Sequence, residues 1–351
     1  MEIYFYNNSL QKVGLIDYCA SIIWARRYNK AGDFELYIPV TEEALQLTKI
    51  GYIVQRQDKI ESLMIIKNIK LTTDEENGDF LTVSGPSIES YISQRIIWQQ
   101  TNLTGTIADN ITQLLNENII DPETTARKIN NIEIGDTSAA AGQTMNKQFT
   151  GTNLLEAIIS ILEEYKLGFN LIYKNNKLLF NIYAGTNRSF NQTENPRVIF
   201  SPEFDNFITS EYNEITENYK NVVLVAGEGE GINRKTEQVG TAEGTERVEE
   251  YVDARDISSN TEGGTITPEA YKNLLKARGQ EKLAELKKDI NFTGQVEPST
   301  NYIFEIDYFL GDIIEIINEF GIGSAARITE VIESWDENGY TLVPTFSTQE
   351  V

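Results

Sequence analysis

A β-rich α+β fold, with two similar β-barrel domains separated by an α/β insert, is the architecture the sequence predicts. Three observations predict it. Both ends of the chain hold short alternating or β-prone runs, whereas the middle holds amphipathic helical stretches. Asn77-Gly78 and Asn338-Gly339 each sit between two such runs, where a tight hairpin needs residues that accept positive φ. The segments around these two pairs also echo each other. The expected domains are 1-95 for the first barrel, 96-196 for the α/β middle, and 197-351 for the second barrel with one long helix.

In the first part, strands are expected over Glu2–Tyr6, Ser21–Arg27, Asp33–Val40, Tyr52–Arg56, Leu63–Thr73 and Phe80–Ser84. Asp33–Val40 alternates, with Phe34, Leu36 and Ile38 on one side and Glu35 and Tyr37 on the other, and Pro39 ends it or places it at an edge. In the middle, Thr106 and Asp109 form a capping-box pattern ahead of a helix over Ile107–Asn118, with Ile107, Ile111, Leu114 and Leu115 as its apolar face. Gly135–Gly142 reads as a loop. A second helix runs over Leu154–Lys166, with Asn153 at its start and Gly168 at its end. A hairpin of Phe169–Tyr173 and Lys177–Tyr183 turns at Asn175-Asn176, and the polar Gly185–Pro196 is a loop.

In the last part, Asn206–Thr216 and Tyr219–Ala226 read as strands, and Arg234–Asp253 as two polar extended segments. Thr267 and Pro268 open a long helix that runs to about Lys288. Strands follow over Asn291–Val296, Asp312–Ile317, Ala326–Glu333 and Tyr340–Phe346. The echo pairs Gly51-Tyr-Ile-Val, Glu76-Asn77-Gly78 and Phe80–Val83 with Gly311-Asp-Ile-Ile, Glu337-Asn338-Gly339 and Tyr340–Val343, at spacings equal to within one residue. Either a duplication or the chance likeness of two common hairpins accounts for it. A duplicated chain assembled as a trimer would present six similar units in a ring.

Composition excludes much chemistry. The chain of 351 residues has no histidine, which removes Ser-His-Asp and Cys-His nucleophile activation and most zinc sites. Cys19 is the one cysteine, so no internal disulfide forms; its apolar surroundings, Leu15–Ile23, read it as a buried structural thiol. Lys+Arg is 30 and Asp+Glu is 53, a formal net charge of −23, which disfavours tight binding to nucleic acid or anionic membranes. No run approaches the ~18 apolar residues of a membrane span, and no secretory signal is expected at Met1–Asn8.

The chemical motifs are weak. Gly227-Glu-Gly-Glu-Gly231 lacks the spacing and the Lys-Ser/Thr of a phosphate loop, and its glutamates would repel phosphate. Asp336–Gly339 lacks the ligand spacing of a calcium loop. Glu203 and Asp205, beside Phe204 and Phe207, are the first carboxylate pair to consider for glycan hydrolysis. Trp98 or Trp335 would be the stacking platform of a carbohydrate-binding receptor protein. Arg26-Arg27, next to Trp24, are expected in ion pairs with Asp33 or Glu35 on a neighbouring strand.

Three strings carry a family resemblance. Arg26-Arg27-Tyr28-Asn29-Lys30-Ala31-Gly32-Asp33-Phe34-Glu35-Leu36 resembles the opening signature of the ReqiPepy-type siphovirus tail-protein family. Phe200–Asn206, with Asn218–Val222 and Gly227–Gly231, resembles its middle block, and Tyr308–Ile313 with Ala326–Val331 resembles its last. The family is similar to phage baseplate hub proteins. The resemblance implies a homotrimer at the virion's tail tip, assembled in the host cytoplasm. Its partners would be the distal tail protein above it, the tail tube or tape-measure protein, and other tail-tip subunits. DNA would be met only in transit. It brings no catalytic, cofactor-binding or metal-binding residues. Larger hub relatives carry added C-terminal receptor-binding or wall-degrading domains. With the last predicted hairpin close to Val351, such activities are expected of other subunits.

Overall fold

The computed structural model describes residues 1–75, 78–261, 263–298 and 301–348. One large antiparallel sheet organises it. Its strands follow the spatial order Glu211–Ile215, Asp289–Thr293, Gly339–Thr348, Gly323–Asp336, Ser21–Arg27, Asp33–Pro39, Gly78–Pro86 and Asn68–Asp74, and every adjacent pair is antiparallel. Ile313–Ile317 and Ile199–Phe200 extend it off this path.

This order is two strand quartets placed side by side in the same sense. In the first quartet Gly78–Pro86 lies between Asp33–Pro39 and Asn68–Asp74. In the second, Gly339–Thr348 lies between Asp289–Thr293 and Gly323–Asp336. The sequence echo falls on matching strands. Ile53–Arg56 pairs with Leu63–Ile65 as Ile313–Ile317 pairs with the start of Gly323–Asp336. Where the second quartet has one strand of 14 residues, the first has two, Leu63–Ile65 and Asn68–Asp74, in different sheets. The expected single strand over Leu63–Thr73 is broken where the chain passes from one sheet to the other; Ile65 O there lies so close to Gly85 that an added Cβ would clash. Asn77 and Glu76 lie outside the described residues; the strands they join meet at Asp74 and Gly78. In the second turn the strands meet at Asp336 and Gly339; Gly339 is at φ +111°, but Asn338 is not in the positive-φ region that the tight-hairpin expectation asks of both residues.

No barrel closes among the described residues; the two halves share one sheet, and Gly323–Asp336 pairs with Ser21–Arg27 across the boundary. One sheet face is covered. A four-stranded sheet of Lys12–Ile16, Ile3–Tyr6, Ile53–Arg56 and Leu63–Ile65 encloses Trp24, Phe34, Leu36, Ile38, Leu81 and Val83. In the second half Phe200, Phe292, Ile316, Val331, Leu342 and Phe346 form the corresponding core.

The middle unit follows its caps. Thr106 accepts from Asp109 N–H and opens the helix Ile107–Leu115, which passes into a wider turn over Asn116–Ile120. Asn153 accepts from Leu155 and Glu156 N–H at the start of Leu154–Glu164. The left-handed residue after this helix is Lys166, at φ 56°, and not Gly168, which begins the next strand. The hairpin turns through Asn175 (φ 53°) and Asn176 (φ 61°). The Gly135–Gly142 loop is tied down, with Gly135 N–H on Phe180 O and Ala140 fully buried.

Val222–Ala226, Thr236–Val239 and Glu249–Asp253 form a separate three-stranded sheet against the helix Pro268–Glu285. This unit meets the middle one through Lys147, buried between Glu164 (2.7 Å) and Glu281 (3.3 Å). No helix among the described residues is long and apolar enough to cross a membrane.

Candidate functional site: the junction and the open sheet

The opening signature string builds the junction between the halves. Tyr28 is buried, and its ring occupies the space that side chains on Gly168 and Gly311 would need. Its hydroxyl donates to Lys166 O at 3.0 Å. Arg327 crosses the Tyr28 ring at 5.0 Å and donates to Gly311 O at 2.6 Å. Asp312 next to it accepts from Thr186 N–H and Arg188 Nε, each at 2.7 Å, and so holds the segment leaving the middle unit. Gly311→Ala is expected to cost about 2–4 kcal/mol in urea denaturation, from its positive φ and the Tyr28 clash together. Gly321, at φ +74° with nothing near its would-be Cβ, isolates the backbone part; Gly321→Ala should cost clearly less.

Arg26 and Arg27 divide between two partners each. Arg27 pairs with Asp33 (2.6 Å), as expected, and with Glu330 (2.5 Å) on the adjoining strand of the other half. Arg26 turns to the covered face, onto Glu305 (2.5 Å) and Glu333 (3.1 Å). Glu35 stays exposed on the opposite face. Glu333 also meets the fully buried Arg56 at 3.4 Å and Lys59 at 3.8 Å. Trp24 and Trp335 flank the Arg56 guanidinium at 5.5 and 4.0 Å from their ring centroids. Glu305 pairs with Lys59 as well. Burial opposes its ionisation, but Arg26 and Lys59 outweigh this and hold its carboxyl below the ordinary value. These partners lie some 300 positions apart in the chain, so no local pattern announces them.

A cavity of about 430 Å³ opens beside the cluster, between Arg26, Glu305, Asp312, Glu89, Leu171 and Tyr183. Glu89 accepts from Leu171 N–H at 3.0 Å, and burial pushes its carboxyl up. The carboxylates singled out from sequence are elsewhere. Glu203 and Asp205 are exposed on a short turn capped by Ser201, with Asp205 at φ 51°. Glu228 of the glycine-rich string accepts from Ser259 N–H (2.6 Å) and hydroxyl (2.7 Å). Burial disfavours its charge, yet those bonds and Lys235 lower its pKa to about 2. Asp336 accepts from Asn338 N–H within its hairpin turn. Cys19 is half-buried, and burial raises its thiol pKa. Trp335 lies against Arg56 and Tyr340, whereas Trp98 is 57% exposed.

The other face of the large sheet is uncovered. Register places Ser84, Glu35, Ile23, Ser334 and Thr341 in one row across it. Arg27, Glu330, Thr345, Thr293 and Glu211 make another. The surface is thus hydroxyl-rich, with Glu35, Glu211 and Glu330 against Arg27 and Lys70. Each end of the sheet is an unpaired edge among the described residues: Asn68–Asp74, exposed throughout, and Glu211–Ile215.

Solved structures share this fold. A 43 kDa tail protein of prophage MuSo2 from Shewanella oneidensis matches with TM-score 0.60 at 12% identity, over 99% of this chain and 98% of that one. The tail protein from Neisseria meningitidis MC58 matches with TM-score 0.59 at 12% identity, over 99% and 96%. Prophage tail protein gp18 from Listeria monocytogenes EGD-e matches with TM-score 0.55 at 14% identity, over 99% and 95%. No curated protein sequence matches. The signature strings that build the junction lie within a family match spanning residues 1–346, and the chain belongs to the Siphovirus ReqiPepy6 Gp37-like protein family.

Proposed function

We propose that the chain is a structural hub subunit of a phage tail tip, working by assembly and not by catalysis, as a homotrimeric ring that joins tail tube to tip and lets DNA pass. The repeated quartet carries this reading. The free edge of Asn68–Asp74 corresponds to the edge of Gly323–Asp336 that already pairs with Ser21–Arg27. The free edge of Glu211–Ile215 corresponds to that of Ser21–Arg27. Repeating the internal contact between copies joins them head to tail. A head-to-tail interface makes a ring when its rotation closes, and a closed sheet has no edge left to aggregate. Three copies then supply 3 × 2 = 6 quartets, the three-fold to six-fold adaptation expected of a hub.

In such a ring the covered face points outward, because the cores and the middle unit occupy it. The open face lines the channel. Duplex DNA carries a negative charge every ~1.7 Å, so a basic lumen would hold it; hydroxyls and surplus carboxylates do not. Each quartet with the core it covers acts as one barrel-like repeat, and 1-95, 96-196 and 197-351 act as the assembly units. The subunit sits in the virion, between the distal tail protein and the tail tube or tape-measure protein on one side and other tip subunits on the other. Light scattering of the purified chain is expected to give three times the chain mass. A monomer at every concentration, or a trimer whose channel is lined mainly by Lys and Arg, sinks the proposal.

A further inference from the structure

The middle unit carries a cationic corner that the hub reading does not use. Arg95 Nε donates to Arg127 O at 2.8 Å, and Arg127 Nη2 donates back to Ile96 O at 2.6 Å and to Asn118 Oδ1 at 2.9 Å. Each arginine is therefore fixed by the other's backbone segment. The Arg127 guanidinium lies 4.2 Å from the centroid of Trp98. Its Nε is buried with no acceptor. Among the described residues no carboxylate pairs with Arg95, Arg127 or the neighbouring Lys128, in a chain with 53 acidic residues against 30 basic ones. Holding two guanidiniums together unpaired is unfavourable; Arg127 is lowered by burial and then by the charge of Arg95. Around them Trp98 and Ile96 are 57% and 45% exposed, while Ile97 between them is fully buried.

From this arrangement we infer that Arg95, Arg127 and Trp98 form a docking site for an acidic, apolar-bearing segment of a protein partner. Fixed guanidiniums meet carboxylates in directed, charge-assisted pairs. Trp and Arg are the residues that dominate binding energy at protein interfaces. Exposed Ile96 gives the segment an apolar contact. One face of Trp98 is already taken by Arg127, and Ile96 offers a sugar no hydrogen bond, so a peptide fits better than a glycan.

The test titrates the full chain with a synthetic peptide alternating Glu and Leu, at ~50 mM salt to limit screening, by calorimetry and tryptophan emission. A phosphorylated polysaccharide forms the second arm. Peptide binding with a change in emission is expected. Arg95→Gln and Arg127→Gln should each weaken it about tenfold or more, and Trp98→Phe should abolish the optical change. Circular dichroism checks folding; should Arg127→Gln unfold through its lost bonds to Asn118 and Ile96, Arg95→Gln and Trp98→Phe carry the test. No peptide binding, or binding unchanged in Arg95→Gln, overturns the inference. So does polysaccharide binding that depends on Arg95 while the peptide fails to bind.

Discussion

Replacing Glu333 by alanine is expected to remove about 3–5 kcal/mol of unfolding free energy, seen as a lower urea midpoint at unchanged slope. Glu333 is 2% exposed and faces Arg26, Arg56 and Lys59, with Arg56 at 0% exposure. Removing the anion leaves Arg56 with Asp58 alone, inside a sheath formed by Trp24 and Trp335. Arg26, Arg56 and Lys59 then share only Glu305 and Asp58, and keeping that surplus positive charge out of water costs more than the lost attraction. The control follows from the same argument. Arg56→Met with Glu333→Leu removes both charges at similar volume and should recover much of the loss. A Glu333→Ala cost below about 1 kcal/mol, as for an exposed pair, would show that water reaches the cluster. Glu305 adds a pH dependence of known sign: its folded pKa is depressed, so its contribution is present above the unfolded carboxylate range and fades as pH falls through the folded value.

Local signals were legible where local chemistry decides the structure. Thr106, Asn153 and Thr267 each cap the helix expected of them, because a side-chain oxygen two or three residues from a free N–H needs no tertiary help. Asn175-Asn176 turn with positive φ at both residues, whereas of Asn338-Gly339 only the glycine takes it. Elements that depend on distant partners were not legible. The strands Thr101–Thr106 and Thr144–Phe149 pair only with each other, across some forty residues, and their Thr, Asn and Lys content hides them. The helix Glu42–Leu47 is too short to show a period. Asn206–Thr216 and Tyr219–Ala226 are strands only over Glu211–Ile215 and Val222–Ala226, in different sheets. The echo was visible in sequence, but the arrangement of the strands that carry it was not. Two quartets could have faced each other or closed separately; side-by-side order is set by Arg26, Arg27 and Tyr28 reaching Glu330, Glu333 and Arg327, contacts that exist only once the chain is folded.

That order makes the free edge the most consequential surface. Successive N–H groups of a strand point to opposite edges, so proline placed at two adjacent positions of Asn68–Asp74 has two different effects. At one of Lys70 and Leu71 the lost N–H belongs to the ladder with Gly78–Pro86, and the substitution should destabilise the monomer. At the other the lost N–H faces outward. If the proposed ring closes through this edge, that variant should keep the fold of the chain and yet fail to trimerise, with its mass in light scattering falling to that of a single chain. Charge supports the same contact. The edge strand carries Lys70 and follows Lys67, and Glu211–Ile215 carries Glu211 and Glu214, mirroring with reversed sign the Arg27–Glu330 pair inside the chain. Glu211→Lys with Glu214→Lys should therefore weaken assembly, and adding Lys67→Glu with Lys70→Glu should restore it. A trimer that survives both prolines holds its copies together elsewhere, and the ring would then be built on a surface other than the shared sheet.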